Sequence, residues 1–477
     1  MKKSKIIILI TLITLIFSAC TKKESSKTTT PETKTTVEKN ESVSTTWMDV
    51  TSIKSVYVDT GIFEHIGFAV PAANLPKENI LAGVKYHGTS ITLENESKPD
   101  TIMWPFSKGI KEEELEDFTS SKGVKIKVPV QSKLNFAPLD NTMKICRDNG
   151  LKMRGHVLVW HSQTPKTFFC EDYNAGKGFV SAKEMDARQE WYIKSVFQHT
   201  KDWEAKNNNG NIIIYAWDIV NEAISDNASA SAYLRDGSNW YAIYKNADFI
   251  VSAFQYANKY APKEVLLAYN DYNEFQGEKH NGYLKIIDLI LAEKNNPELP
   301  SRIDIAGMQS HNQTGWPSMT EYETCIKNFI AKGLDIHITE LDITGSWKGG
   351  NNFNKADPEA QKRTYNQYFK LYQKYRKTEN TNGITGITFW GITDENSWRG
   401  NASPLLFNHF EPKPAYYGVI EAANQHNTPV IPKLFRDDLK QPSSPTSFGM
   451  TYFYSNVFLF QHQLHDEYAA KLIKIYW

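Results

Sequence analysis

The segment IIIYAWDIVNE, residues 212–222, carries the strongest fold signal in the chain. Its nearly continuous apolar and β-branched character is typical of a strand buried on both faces, as in a parallel sheet. Yet the segment ends in an amide and a carboxylate, Asn221 and Glu222. Either the strand emerges there into a solvent-exposed loop, or Glu222 is held at the mouth of a barrel to donate a proton.

Seven further apolar runs resemble this one, and helical patterns separate them. The eight predicted strands cover residues 66–70, 89–94, 153–160, 212–222, 265–272, 304–311, 334–343 and 385–391. Eight strands, each followed by a helical or long connection, predict an α/β fold, a (β/α)8 TIM barrel forming a single catalytic domain. A doubly wound open sheet is the alternative, but no glycine-rich phosphate loop follows the first strand.

Two of the predicted helices carry capping signals. Thr320 lies three residues before Glu323, the spacing of a capping box, and Gly333 stands where a C-terminal glycine belongs. Asp357 is the predicted N-cap of the next helix, with Pro358 at its first position. Aromatic residues recur in that helix at helical spacing and are predicted to pack in the core: Tyr365, Tyr368, Phe369 and Tyr372.

The N-terminal residues predict export. The basic start MKKSK precedes an apolar run, residues 6–17, that is too short to cross a bilayer as a permanent helix. The run ends in FSAC, so we expect residues 1–20 to be a lipoprotein-type signal with lipid attached at Cys20. We therefore expect an exported protein, lipid-anchored to the cell membrane on its extracellular face and otherwise free of membrane contact. Ordinary secretion is the alternative.

Composition divides the remainder of the chain. Residues 21–46 are rich in Thr, Lys, Ser and Glu and are predicted to be a flexible linker. The catalytic barrel is predicted to cover residues 47–428. The pattern assigns no structure to residues 429–477, which form a C-terminal tail.

Charge and cysteine content limit the partners. Lys plus Arg number 54 and Asp plus Glu number 54, so no net charge attracts a polyanion, and we expect no nucleic-acid partner. Beyond Cys20 only Cys146, Cys170 and Cys325 remain, without CxxC spacing. This sparse set predicts neither a disulfide framework nor a structural metal, and we expect no cofactor. We expect the protein to be a monomer.

Polar and aromatic residues collect at the carboxyl ends of seven predicted strands, where the active site of such a barrel lies. In chain order they are Glu94, Asn95, Lys98, His156, Trp160, His161, Asn221, Glu222, Asn270, Asp271, Tyr272, Asn273, Gln309, His311, Glu340, Asp342, Trp390 and Trp398. Each alone is explained by core packing or solvation, but their convergence on one face predicts a site. Glu222 and Glu340, on separate strands, predict the paired carboxylates of glycoside hydrolysis.

Five motifs make this prediction specific. They are TLENESK (92–98), RGHVLVWHSQTP (154–165), WDIVNEA (217–223), GMQSHNQ (307–313) and ITELDI (338–343). Together and in this order they resemble the endo-1,4-β-xylanases of glycoside hydrolase family 10. The resemblance extends from about Gly67 to KPAYYGVIE at residues 413–421. It implies retaining endo-hydrolysis of the β-1,4-xylosidic bonds of xylan and xylo-oligosaccharides.

The resemblance also implies a role for each matching residue. Glu222 matches the general acid/base and Glu340 the nucleophile. Asn221 matches the residue that holds the sugar 2-hydroxyl, His311 the hydrogen-bond partner of the nucleophile, and Asp342 the residue that fixes the imidazole. The implied substrate-binding residues are Glu94, Asn95 and Lys98 at subsite −2, His156, Trp160, Gln309, Trp390 and Trp398 around subsite −1, and Tyr272 beside subsite +1.

One departure and two alternatives qualify this interpretation. Pro99 stands where the family usually has tryptophan, and the loop at residues 100–123 matches poorly, so the glycone-side grip is less well predicted. One alternative is a barrel glycosidase acting on cellulose or mixed-linkage β-glucan. The other is a non-catalytic barrel that only binds polysaccharide.

Overall fold

The computed structural model describes residues 46–424. The predicted signal with Cys20, the linker as far as residue 45, and the tail at residues 429–477 lie outside the described residues. The five motifs, which span residues 92–343, fall within them.

Eight parallel strands form a closed barrel, which confirms the predicted TIM barrel. The strands are β1 His65–Val70, β2 Ser90–Leu93, β3 Lys152–Gly155, β4 Ile214–Asn221, β5 Leu266–Asp271, β6 Ile305–Met308, β7 Asp335–Thr344 and β8 Ile384–Phe389. Each pairs with its neighbours in chain order. The ring closes where β8 pairs with β1, with His65 opposite Gly386.

Two predicted strands are broken in the structure. The run at residues 153–160 forms β3 and a separate piece, Val159–Trp160, that pairs with the end of β4. The run at residues 304–311 forms β6 and His311–Gln313, which pairs with the end of β7. Both breaks release the backbone from the ladder at the barrel mouth, and the side chains there, including His156 and Gln309, are buried.

Helices follow every strand on the outside of the barrel. Within residues 46–424 they are α1 Ile53–Tyr57, α2 Glu78–His87, α3 Pro99–Ile102, α4 Ala137–Asn149, α5 Ala182–Asn207, α6 Asn239–Tyr244, α7 Asp248–Tyr260, α8 Gly277–Ala292, α9 Met319–Ala331, α10 Pro358–Lys374 and α11 Pro414–Asn424. Short 3-10 segments are Trp104–Phe106, Glu112–Glu114, Gln131–Lys133, Lys166–Phe169, Glu171–Tyr173, Asp394–Asn396 and Gly400–Ala402. None of the helices in this part of the chain has the length and apolarity to cross a bilayer.

The predicted capping box at Thr320 and Glu323 is wrong by two residues. Ser318 is the N-cap, and Glu321 accepts a hydrogen bond from its backbone N–H at 3.1 Å. The sequence contains both spacings, and the earlier one lets the helix gain two more residues of hydrogen bonding. Glu323 instead accepts a hydrogen bond from Lys374 Nζ at 2.7 Å, which ties α9 to α10.

The other helix predictions are confirmed. Asp357 caps α10 by accepting a hydrogen bond from the Ala360 N–H at 2.8 Å, with Pro358 at the first position. Gly333 follows α9 with φ +78°, a conformation that favours glycine. The four aromatic residues of α10 are fully buried, as predicted: Tyr365, Tyr368, Phe369 and Tyr372.

Small antiparallel hairpins interrupt the connections at the carboxyl end of the barrel. Leu115–Thr119 pairs with Lys125–Pro129 after β2, and Phe407–Asn408 pairs with Glu411–Pro412 after β8. The third, Trp347–Gly349 with Asn352–Phe353, follows β7 and is named the loop-7 hairpin. The first hairpin packs against α5 on the outside of the barrel, where the Ser121 N–H at its turn donates to Glu190 Oε2 at 2.7 Å.

Candidate active site

A cleft of about 1040 Å³ opens at the carboxyl ends of the barrel strands. Of the fourteen residues to which the resemblance assigns a role, thirteen line it: Glu94, Asn95, Lys98, His156, Trp160, Asn221, Glu222, Tyr272, Gln309, His311, Glu340, Trp390 and Trp398. The fourteenth, Asp342, is fully buried behind His311. The structure therefore brings the predicted residues together in one place.

Glu340 lies within β7 and is almost completely buried, with 5% exposure. Its carboxylate accepts hydrogen bonds from Asn270 Nδ2 at 2.9 Å and from His311 Nε2 at 3.2 Å. Burial alone would raise the pKa of Glu340, but the His311 hydrogen bond and the neighbouring His156 and His311 outweigh it, so the pKa lies below its usual value. Glu340 is therefore held as a carboxylate.

His311 is fixed between two acids. Its Nδ1 donates to Asp342 Oδ2 at 2.8 Å while its Nε2 faces Glu340. Burial would lower the pKa of His311, but the charge of Asp342 and the hydrogen bonds to both acids raise it to about 9. Asp342 Oδ2 also accepts from Trp398 Nε1 at 2.8 Å. The imidazole thus stays protonated at neutral pH and donates to Glu340.

Glu222 follows the last residue of β4, with its backbone in the left-handed region at φ +54°. A non-glycine residue in that region costs about 1–3 kcal/mol and persists only where surrounding contacts enforce it. Its N–H donates to the Asn270 carbonyl at 2.9 Å, and its own carbonyl accepts from Arg235 Nε at 3.0 Å. The carboxylate accepts from Trp160 Nε1 and Gln309 Nε2, each at 2.9 Å.

Asn221 stands between the two glutamates. Its Oδ1 accepts from Asn270 Nδ2 at 2.9 Å and from Gln309 Nε2 at 3.2 Å. Within residues 46–424, no acceptor lies within hydrogen-bond distance of its buried Nδ2. A buried donor left unpaired costs about 1–3 kcal/mol, so this amide is suited to bind a hydroxyl in the cleft.

His156 and Trp390 lie together beside Glu340. His156 Nδ1 donates to Asp218 Oδ2 at 2.9 Å, and Asp218 also forms a buried ion pair with Arg154. Since Nδ1 is occupied, His156 presents its Nε2 edge to the cleft. The Trp390 ring meets the His156 ring edge-on at 5.3 Å between centroids. These contacts make a rigid floor.

The residues predicted for subsite −2 include the buried Lys98, whose ammonium group contacts polar and aromatic neighbours. Lys98 Nζ donates to Asn95 Oδ1 at 3.1 Å and to Gln163 Oε1 at 3.0 Å, and lies 4.7 Å from the Trp160 ring centre. Burial raises the pKa of Glu94 to about 7, with Glu96 adding to the effect. Pro99 begins the short helix α3, so this departure from the family leaves Lys98 at the cleft.

Tyr272 lies on the other side of Glu222. Its hydroxyl donates to Asp226 and accepts from Arg235 at 3.0 Å, and Lys279 Nζ lies 3.5 Å from its ring centre. These contacts hold the ring in the cleft wall. Among the described residues, no cluster of three or more His, Cys, Asp or Glu side chains could hold a metal ion.

Sequence reasoning missed part of the lining. The additional residues are Gln163, Asp226, Gln276, Gln313, Trp316, Trp347, Gly350, Asn351, Phe353 and Arg399. Gln163 and Gln313 lie inside two of the five motifs, so position within a motif could have identified them. Asn273, which the sequence predicted at the end of the polar run after β5, also lines the cleft. The loop-7 hairpin residues and Arg399 lie in connections without any periodic signal.

Comparison with known proteins gives a consistent picture. The model of the family "Glycosyl hydrolase family 10" matches residues 52–422. The chain is 36% identical to the bifunctional endo-1,4-β-xylanase XylA of Ruminococcus flavefaciens over 71% of its length, and it spans only 31% of that relative. It is 33% identical to endo-1,4-β-xylanase A of Butyrivibrio fibrisolvens, covering 76% of this chain and 82% of the relative.

A solved structure shares the same architecture. The CBM22-1 and GH10 modules of endo-1,4-β-D-xylanase 10B from Clostridium thermocellum, complexed with xylohexaose, align with a TM-score of 0.64 and 30% identity. The alignment covers 79% of this chain and 68% of that one.

Proposed function

The chain belongs to glycosyl hydrolase family 10, and from this membership we propose that it hydrolyses internal β-1,4-xylosidic bonds of xylan with retention of configuration. One observation carries the proposal. The two glutamates are joined by a chain of three amides, in which Asn270 contacts Glu340, Gln309 contacts Glu222, and both contact Asn221. Two carboxylates thus face one sugar-binding position in different surroundings.

In the proposed first step, Glu340 attacks the anomeric carbon while Glu222 transfers its proton to the glycosidic oxygen. The carbon–oxygen bond breaks, the aglycone leaves as an alcohol, and a covalent glycosyl ester remains on Glu340. In the second step Glu222, now a carboxylate, takes a proton from water, whose oxygen displaces Glu340. Two inversions at one carbon leave the β configuration unchanged.

The surrounding groups support each step. The His311 imidazolium favours the charged form of Glu340 before attack and the return of that charge when the ester breaks. The free Asn221 amide is positioned to donate to the sugar 2-hydroxyl, an interaction that strengthens in the transition state. Tryptophan rings offer flat apolar faces to a pyranose. Those that line the cleft beside the glutamates are Trp160, Trp390 and Trp398.

The names of the relatives support xylan as the substrate. The test is an assay of the purified protein on xylan and on carboxymethylcellulose, with the anomeric configuration of the first product read by proton NMR. We expect release of short xylo-oligosaccharides in the β form and little action on the cellulose derivative. An α first product would overturn retention, and a preference for cellulose would overturn the substrate class.

We also propose that the protein is exported, lipid-anchored through Cys20 and monomeric, with residues 21–46 serving as a tether. The support is the basic and apolar N-terminal pattern and the polar composition of the tether. Replacing Cys20 with alanine should release the protein from the membrane fraction or block its maturation. Unchanged fractionation of this variant would favour simple secretion.

A further inference from the structure

The mouth of the cleft has two opposite ends. Because barrel strands follow one another around the ring, the connections after β2 and β3 lie across the barrel from those after β5, β6 and β7. Lys98 and Gln163 belong to the first group and Tyr272 and Gln313 to the second, and all four line the cleft. The proposed glycone and aglycone ends therefore lie at Lys98 and Tyr272, with Glu222 and Glu340 between them.

The loop-7 hairpin extends the aglycone end. The Trp347 N–H donates to Gln313 Oε1 at 2.8 Å, which attaches the hairpin to the connection after β6. At its other edge, the Arg399 guanidinium lies 4.1 Å from the Phe353 ring centre and 4.0 Å from the Trp398 ring centre. The hairpin is thus held at both edges and spans the rim on the Glu340 side.

Trp347 is the exposed aromatic residue of this hairpin. The residue has 61% exposure although it lines the cleft. The single polar atom of its ring, Nε1, already donates to the Gly350 carbonyl at 2.8 Å. The indole therefore needs no further hydrogen bond, and its orientation is set within the hairpin while its apolar surface faces solvent. Asn351, next in the hairpin turn, adds a polar group to the same part of the cleft.

A solvent-exposed tryptophan on a surface loop is by itself unremarkable in a folded protein. Trp347 differs because three features coincide in one side chain: it lines the substrate cleft, its indole N–H is satisfied locally, and its backbone is bound to another cleft residue. Trp104 shows the contrast within the same chain. It is exposed to 60% and does not line the cleft.

We propose that Trp347 is a stacking platform for a sugar unit of the leaving chain, at a position beyond Tyr272. The ligand class is the β-1,4-linked pentopyranose chain, and the inference rests on the proposed xylanase function. Trp347 would then determine preference for chain length, because only a substrate that extends past Tyr272 reaches it. It takes no part in bond cleavage.

The test compares Trp347→Ala with Trp104→Ala on two substrates. Xylohexaose reaches the distal position, whereas an aryl xylobioside places only its aryl group on the aglycone side. We expect Trp347→Ala to lower kcat/KM for xylohexaose about tenfold, mainly through KM, and to leave the aryl xylobioside unchanged. The bond cleaved in xylohexaose should shift towards the reducing end. Trp104→Ala should match the wild type on both substrates.

A second variant separates stacking from hairpin integrity. Trp347→Phe keeps an aromatic face but loses the Nε1 donor, so it should recover most of the xylohexaose activity. Equal losses on both substrates would mean that the hairpin acts through Arg399, which would overturn the platform. If Trp347→Ala hydrolyses xylohexaose as fast as the wild type, the stacking platform is overturned as well, while the proposed function stays intact. Wild-type protein inactive on both substrates would overturn the proposed function itself.

Discussion

The cleft has two walls, one carrying Glu340 on β7 and the other carrying Glu222 just past β4. The two walls hold these glutamates in opposite ways. Glu340 lies inside a strand, with its side chain 6% exposed and bound by an amide and an imidazolium. Glu222 lies just past a strand end, with its side chain 14% exposed and its backbone in a left-handed conformation. A nucleophile must form a bond at one fixed point, whereas an acid/base must exchange protons with an aglycone and then with water. Nucleophilic attack therefore favours a residue inside a strand, and proton exchange favours a residue just past a strand end.

Substitution of Glu340 should lower the rate of hydrolysis the most. Glu340→Ala removes the atom that forms the covalent intermediate, so hydrolysis of every substrate should fall by roughly 10⁵-fold or more. Rates on xylan and on a dinitrophenyl xylobioside measure this loss, and thermal unfolding of the variant checks that the fold is retained. A variant that still releases dinitrophenol in a burst would exclude Glu340 as the nucleophile.

The loss of activity on substitution of Glu222 should depend on the leaving group of the substrate. Glu222→Ala removes proton donation, so hydrolysis of xylan should fall by about 10²–10⁴-fold. A dinitrophenyl xylobioside needs no protonation and should still glycosylate Glu340, giving a burst followed by slow turnover. Azide should accelerate that turnover, because a small anion fits the space left by the carboxyl and needs no general base.

The stereochemistry of the azide product provides the control. Rescue of Glu222→Ala should yield a β-glycosyl azide, since two inversions give net retention. If azide instead rescues Glu340→Ala and yields an α-glycosyl azide, the two roles are exchanged between the walls.

The difference between the walls also separates what the sequence predicts from what it does not. Buried strands are continuous apolar runs, so the eight strands could be recognised, together with the polar residues in or just past their carboxyl-terminal halves, including Glu340 and Asn221. Connections have no such period, so the sequence does not show that Arg235 reaches back to the Glu222 carbonyl. The capping box of α9 failed for a related reason: two equivalent spacings overlap, and only hydrogen bonding in the folded chain selects Ser318.

Asp342→Asn tests how the Glu340 wall keeps its glutamate ionised. Loss of the acid's charge removes the main cause of the raised pKa of His311, so the imidazole should titrate well below about 9. His311 then loses its proton in the neutral range and no longer holds Glu340 ionised, and misplacement of the ring should cost roughly 10²-fold in kcat on xylan. NMR titration of the His311 ring measures the pKa. An unchanged value would contradict the assignment.

The same substitution has a signature in stability. A histidine whose folded pKa is raised stabilises the fold below its unfolded pKa of 6.5 and loses that contribution as pH rises to about 9. The free energy of unfolding of the wild type should therefore fall across this interval. Asp342→Asn should show a smaller fall, measured by urea unfolding at both ends of the interval. Equal slopes would place the titration in another group.

The smallest effect should come from Arg235, which supports Glu222 through its backbone. Arg235 donates from Nε to the Glu222 carbonyl at 3.0 Å and from its terminal nitrogen to the Tyr272 hydroxyl at 3.0 Å. Lysine keeps the charge but cannot make these forked contacts, so the left-handed backbone at Glu222 would lose a support. We expect Arg235→Lys to lower kcat/KM for xylan about tenfold, the cost of a modest misplacement of the acid/base.

The same variant should leave kcat/KM for a dinitrophenyl xylobioside nearly unchanged, because glycosylation by that substrate needs no proton from Glu222. Arg302→Lys is the matched control: its side chain is similarly exposed, at 20% against 17%, and also donates to a backbone carbonyl, that of Val265. The control should be fully active on both substrates. If Arg235→Lys instead loses activity equally on both, Arg235 supports the cleft as a whole, and the two glutamates depend on their surroundings in the same way.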